Sequence, residues 1–275
     1  MPAVWTFAVV GLGRNQKNME VIITKSADAL GRIVADAVCK AMESRAEPAL
    51  GLATGSSPLP VYSELIRRHR EEGLDFTRVS AFMLDEYLGL PVGHGQLYRT
   101  FIQEQFTGQV NLNPQRLHSL DSTTEHVDGE CARYEEAIEQ AGGIDMLLLG
   151  IGSAGHIAFN EPTSSLASRT RVKTLARATR QDNARFFSDE LDSVPRHVLT
   201  MGVGTILEAR HLVLVATGAA KATVLAQAIE GPVTAMVPAS ALQLHRSVTI
   251  VIDEPAASKL QLADYYKETY AAKPR

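Results

Sequence analysis

Residues 146–149 read Met-Leu-Leu-Leu, an apolar run with no polar residue between its members. A strand with one wet face alternates, so an unbroken run fits a strand covered on both faces, as in a parallel sheet flanked by helices. The run 212–216, Leu-Val-Leu-Val-Ala, repeats the signal. Three glycines follow the first run, Gly150, Gly152 and Gly155, and then His156, Asn160 and Glu161. In open α/β sheets ligands sit beyond the carboxyl ends of the strands, which is where an imidazole and a carboxylate would fall here. Spacing alone leaves a second reading open, a glycine-rich turn whose His and Glu are simply solvated.

At 275 residues the chain is long enough for a substantial core. It carries a net charge of −4 and has no Lys/Arg run, which argues against a nucleic-acid partner. Its two cysteines, Cys39 and Cys131, have no metal-ligand spacing; free thiols in a reducing, cytoplasmic setting are the simplest account. No apolar run approaches the ~18 residues needed to span a bilayer. The short apolar stretch 4–12 lacks a basic lead and a cleavage site, so it is a poor signal peptide. Residues 1–18 read as a disordered extension, with the folded domain over 19–275.

Taken in order, Met19 begins a first strand, and Ser26 is placed to cap a helix with apolar residues at 30, 33, 34, 37, 38 and 42. A strand over 49–53 leads into Thr54-Gly55-Ser56-Ser57-Pro58 and a helix over 60–72. Strand, small hydroxyl-rich loop and helix start together make a ready phosphate site, although a plain capped turn has the same look. A strand over 79–84 runs into Asp85-Glu86-Tyr87, and two adjacent carboxylates at a strand end are either solvated or employed. A helix near 96–106, an irregular polar stretch over 111–121 and a helix over 124–141 lead to the central strand.

Beyond it, Arg169, Arg171 and Lys173 alternate with uncharged residues and would share one side of an extended segment. That side suits an anion site or a solvated edge strand. Residues 200–204 read as a turn and 204–209 as a short helix. Lys221 stands at a helix start, where a cation opposes the helix dipole, so an acidic partner or ligand is expected beside it. A last strand spans 248–252 and a last helix 260–270. With no repeat and no linker, the reading is an α/β fold: one doubly wound, Rossmann-like domain with a mostly parallel sheet.

The segments TGSSP at 54–58, DEYLGL at 85–90, GHIAFNEP at 155–162 and SSLASRTRVKTL at 164–175, with Lys221 after a strand and glycine turn, resemble the glucosamine-6-phosphate deaminase family. The resemblance runs from about residue 19 to 255. It implies conversion of glucosamine 6-phosphate and water to fructose 6-phosphate and ammonia, with no organic cofactor and no catalytic metal. By the same resemblance Asp85 is the enolisation base, His156 the acid–base for ring opening, and Glu161 the carboxylate that orients it. Thr54, Gly55, Ser56, Ser57, Arg185 and Lys221 would bind the phosphate. Ser164, Arg171, Lys173 and Thr174 match the site at which N-acetylglucosamine 6-phosphate activates hexameric members, so a homo-oligomer, hexameric or smaller, is expected. The tyrosine completing that site has no clear counterpart: Lys267 aligns with it, just after Tyr265 and Tyr266. One position departs from the pattern. The family usually carries Asp or Asn two residues before the histidine, and this chain has Ala154.

Three alternatives remain at this stage: a deaminase for another hexosamine phosphate such as the galacto epimer, a 6-phosphogluconolactonase, and a catalytically weak sugar-phosphate sensor. Asn160-Glu161-Pro162 argues against the lactonase, because lactone hydrolysis needs no ring-opening carboxylate. Only Ala154 supports the sensor.

Overall fold

The computed structural model describes residues 19–273; the extension expected over 1–18 lies outside them. The chain opens with strand β1 (Met19–Thr24) and helix α1 (Ala27–Glu43), whose cap is Ser26, its hydroxyl accepting from the Ala29 amide at 3.1 Å. Then come β2 (Ala49–Leu52), α2 (Leu59–Glu72), β3 (Ser80–Met83), β4 (Asp85–Tyr87), α3 (Tyr98–Gln105), β5 (Leu117–His118) and α4 (Val127–Gln140). The second half runs β6 (Met146–Leu149), β7 (Arg171–Thr174), α5 (Arg177–Ala184), β8 (His197–Thr200), α6 (Val203–Leu207), β9 (Leu212–Ala216) and α7 (Ala222–Ile229). It ends with β10 (Val248–Asp253), α8 (Glu254–Ala257) and α9 (Ala263–Ala271).

Seven strands form one parallel sheet in the order β1-β10-β9-β6-β2-β3-β5. The apolar run at its centre works as its composition requires. Leu147 and Leu149 enter the core on one face, with Tyr134, Leu225 and Ile229, and Met146 and Leu148 enter the other, with Leu30, Val34 and Leu65. Helices therefore cover both faces, the doubly wound arrangement. From β2 the chain moves outward through β3 to β5, then returns to β6 on the other flank of β2 and continues through β9 and β10 toward β1. The strand order thus reverses between β2 and β6, the point at which open α/β sheets leave a crevice at the carboxyl edge. Both glycine-bearing loops, 53–57 and 150–155, leave the sheet beside that crevice.

A second, three-stranded antiparallel sheet has the order β4-β8-β7. The structure differs from the sequence reading at three places. Asp85–Tyr87 is a strand of its own rather than the tail of β3, and the segment before the expected turn at 200 holds β8. The stretch expected to be irregular over 111–121 contains β5, paired to β3 at the sheet edge. Asp85 and Arg171 both pair with Thr200, so β8 sets the candidate base and the basic strand in one row. Among the described residues no helix is long and apolar enough to cross a membrane.

Candidate active site

At the reversal point the loop after β2 presents Thr54, Gly55, Ser56 and Ser57. Gly55 has a φ of +97°, a backbone conformation that favours glycine. Leu59 and Val61 donate back to Ser56 and Pro58, but the amides of Gly55, Ser56 and Ser57 donate to no acceptor among the described residues. These amides stand just before the start of α2, where an anion is electrostatically favoured.

Across the reversal point, β6 ends in the loop that carries His156. Gly152 lies flat against the imidazole: a Cβ built there would fall 1.9 Å from His156 Nε2. The glycine is therefore needed for close approach, not for an unusual φ. Its amide donates to the His156 carbonyl at 2.9 Å. Further along, the fully buried Asn160 donates from Nδ2 to the carbonyls of Ile157 (3.0 Å) and Met201 (2.7 Å), fastening this segment to the end of β8. Non-glycine residues in left-handed backbone flank it, Ala158 at φ 49° and Thr163 at φ 73°, a local strain that a rigid surround must sustain.

The two adjacent carboxylates have separate environments. Glu86 is 1% exposed and accepts from the amides of Tyr87 (2.9 Å), Tyr98 (3.0 Å) and Arg99 (2.9 Å). It is the N-terminal cap of α3, supplied from another strand, and it satisfies amides that the helix leaves open. Asp85 is 7% exposed and its carboxyl accepts no hydrogen bond among the described residues. Burial pushes Asp85 well above the usual carboxylate range, and the neighbouring Glu86 charge adds to the shift. That is the environment of a general base poised nearer neutrality. An aromatic cluster holds the strand in place. Tyr87 meets Phe187 edge-on at 5.5 Å, Tyr98 stacks on Phe159 at 5.9 Å, and Asn183 Nδ2 donates to the Tyr87 hydroxyl at 3.0 Å.

His156 Nδ1 is buried and has no hydrogen-bond partner among the described residues. Burial lowers the imidazole pKa; Glu161 opposes that shift, Lys221 adds to it, and Asp182 opposes it. Glu161 does not bond the ring. Its oxygens accept from the Ala176 amide at 3.0 Å and from the Thr179 hydroxyl, which fixes it at the start of α5. No hydrogen bond joins the expected orienting pair among the described residues. Ala154 is exposed and offers neither donor nor acceptor from its side chain.

Lys221, at the head of α7, makes no ion pair among the described residues; burial lowers its pKa, with Asp182 opposing and Arg185 reinforcing that shift. Arg185 caps the end of α5 and lies 4.7 Å over the Phe186 ring. The Arg185 charge thus bears on Lys221. Asp182 is the residue that sequence reasoning missed: it is the acid expected beside Lys221, but it is an exposed polar residue in a short helix, with no pattern to mark it. Among the described residues no three of His, Cys, Asp and Glu converge in a group that could hold a metal ion.

The other expected site lies on the small sheet. Along β7 Arg171 and Lys173 are partly buried while Val172 and Thr174 are exposed, so the two cations share a side as their spacing requires. Among the described residues Arg171 Nη2 is buried without a partner, and so is the Ser164 hydroxyl. Thr174 Oγ1 instead contacts His197 Nδ1 at 3.3 Å, and Lys267 pairs with Glu254 at 3.4 Å.

Comparison with known proteins matches residues 23–251 to the family of glucosamine-6-phosphate isomerases and 6-phosphogluconolactonases. A glucosamine-6-phosphate deaminase of Arthrobacter sp. (strain FB24) is 54% identical over 256 residues, 93% of this chain and 98% of that protein. The one from Rhodococcus opacus (strain B4) is 57% identical over the same shares. A solved monomeric glucosamine-6-phosphate deaminase, described as a missing link of its superfamily, superposes with a TM-score of 0.85 at 39% identity, over 88% of this chain and all of that one. A 6-phosphogluconolactonase from Thermotoga maritima shares the fold, with a TM-score of 0.68 at 18% identity over 86% of this chain and 100% of that chain.

Proposed function

This chain belongs to the family of glucosamine-6-phosphate isomerases and 6-phosphogluconolactonases, and we infer that it is a glucosamine-6-phosphate deaminase. It converts D-glucosamine 6-phosphate and water to D-fructose 6-phosphate and ammonia. The observation that carries the reading is a division of labour at one sheet edge. Asp85, buried and unbonded among the described residues, follows β3, and His156 lies in the loop after β6, the two strands that flank β2.

On this reading the phosphate rests on the amides and hydroxyls of Thr54, Gly55, Ser56 and Ser57, with Arg185 and Lys221 supplying charge. His156 moves a proton between O1 and the ring oxygen, which breaks the C1–O5 bond and frees the aldehyde. Asp85 then takes the C2 proton and returns one to C1, so a single base serves both carbons. The resulting C2 iminium adds water and expels ammonia, leaving the ketone. Burial of Asp85 supports the base role, because a carboxyl with a raised pKa binds a carbon-derived proton more readily. The free thiols of Cys39 and Cys131 support a cytoplasmic setting.

A second sugar phosphate has specific support. Arg171 Nη2 and the Ser164 hydroxyl, unpartnered among the described residues, suit an anion with oxygens to spare, and Lys173 shares the strand face of Arg171. With Thr174 at its margin, this is the proposed effector site for N-acetylglucosamine 6-phosphate, in a homo-oligomer acting in N-acetylglucosamine breakdown.

One assay tests both statements: ammonia and fructose 6-phosphate release from glucosamine 6-phosphate, with galactosamine 6-phosphate compared and N-acetylglucosamine 6-phosphate present or absent. Equal amounts of both products from the gluco substrate are expected, with a lower half-saturation when the effector is added. Preference for the galacto epimer overturns the substrate. Hyperbolic kinetics indifferent to the effector, in a monomer, overturn the effector site.

A further inference from the structure

Ser153 Oγ donates to Asp182 Oδ2 at 2.9 Å, joining the loop that bears His156 to helix α5, 29 residues away in sequence. The loop needs such a tie. It leaves β6 through glycines, and Gly152 directly backs the imidazole, so any drift of the loop moves the ring. Glu161, the other acid near the ring, is already held by Ala176 and Thr179 and bonds neither the loop nor the imidazole. We propose that Asp182, anchored by Ser153, is a positioning residue of this site: it steadies residues 150–155 under the His156 ring and presents a fixed negative charge to both His156 and Lys221. The proposal rests on the deaminase reading above.

One carboxylate facing both groups has opposite effects on two steps. It favours the imidazolium form of His156, which must hand a proton to the leaving ring oxygen. It also repels the substrate phosphate approaching Lys221 and Arg185. The charged groups bearing on His156 are Glu161, Lys221 and Asp182, and those bearing on Lys221 are Asp182 and Arg185. Removing the charge of Asp182 should therefore weaken ring opening and tighten phosphate binding together. A residue with only a structural part would not give that split.

Asp182→Asn keeps an acceptor for Ser153 and removes the charge. In the full-length enzyme kcat for glucosamine 6-phosphate should fall by up to about fivefold, the span of an exposed charge contact, while KM falls as well. By NMR the His156 imidazole resonance, identified by its absence from His156→Gln, should titrate at lower pH than in the unmodified protein. Asp182→Glu should restore both readouts in large part. An unmoved His156 titration, or a KM that rises as kcat falls, overturns the proposal. Failure of the unmodified enzyme to release ammonia overturns the deaminase reading instead, and the NMR titration still judges Asp182 in that case.

Discussion

Replacing Gly152 with alanine perturbs His156 without altering it. The added methyl carbon would lie 1.9 Å from Nε2, 2.1 Å from Cε1 and 2.3 Å from Cδ2. Ordinary contact begins at 3.4 Å, so the ring must retreat by roughly 1.5 Å, the shortfall at its nearest atom. The obstacle is the end of a side chain rather than backbone, so the ring can swing away at little cost to folding. Gly152 is also outside the left-handed region, and a Gly→Ala change at a compatible backbone adds about 0.4–1 kcal/mol through the unfolded state. Stability should stay level, with Tm within a few degrees. Catalysis should not. A misplacement near 1 Å costs about 10²-fold in rate, close to 2.7 kcal/mol of barrier. Ammonia release and solvent exchange of the C1 hydrogen of fructose 6-phosphate should be followed side by side. Exchange starts from the open-chain ketone and draws on Asp85, so it should lose far less than ammonia release. The reasoning is refuted if ammonia release is unimpaired, or if both activities fall equally while Tm is unchanged.

Asp85→Asn should lower deamination by ~10²–10⁴, and ammonia release by the unmodified enzyme should fail as pH drops through the raised Asp85 value, since a protonated carboxyl cannot take the C2 hydrogen. Native Asp85 holds its proton more tightly than the unfolded chain does, so its contribution to folding is most favourable below about pH 4 and is lost as pH rises. The same variant should therefore raise Tm near neutrality, with the gain vanishing in acid, as calorimetry across pH would record. Lys221→Ala and Arg185→Ala should raise KM chiefly and take some kcat, because phosphate binding energy also positions the reacting carbons; steady-state kinetics on glucosamine with and without its 6-phosphate check this. Ala154→Asp should raise kcat for glucosamine 6-phosphate while changing C1 exchange less, since it puts an acid two residues before the histidine, where the family resemblance implies one. Unchanged or slower deamination would make Ala154 a neutral variation.

The parallel sheet was legible because burial on both faces removes polar alternation, as at residues 146–149 and 212–216. Asp85, His156 and the loop at 54–57 were legible because strand ends and glycines mark where such a sheet is open. The small sheet was not. The four residues of β8 and the three of β4 are too short to show a period, and their pairing joins positions more than a hundred residues apart. Glu86 looked like a twin of Asp85 in sequence, and only the placement of α3 shows it capping a helix. Asp182 has meaning solely through Ser153 and its charge effect on His156 and Lys221. Glu161 resembled a hydrogen-bonding partner of His156, yet the start of α5 takes both of its oxygens.

The most direct test of the account follows deuterium placed at C2 of glucosamine 6-phosphate through a turnover by the unmodified enzyme and by Asp85→Asn. A single carboxylate serving both carbons predicts ammonia, fructose 6-phosphate and part of the C2 deuterium at C1 with the unmodified enzyme, and almost no product with the variant. Fructose 6-phosphate formed by Asp85→Asn at the unmodified rate, or no ammonia from either protein, would contradict it.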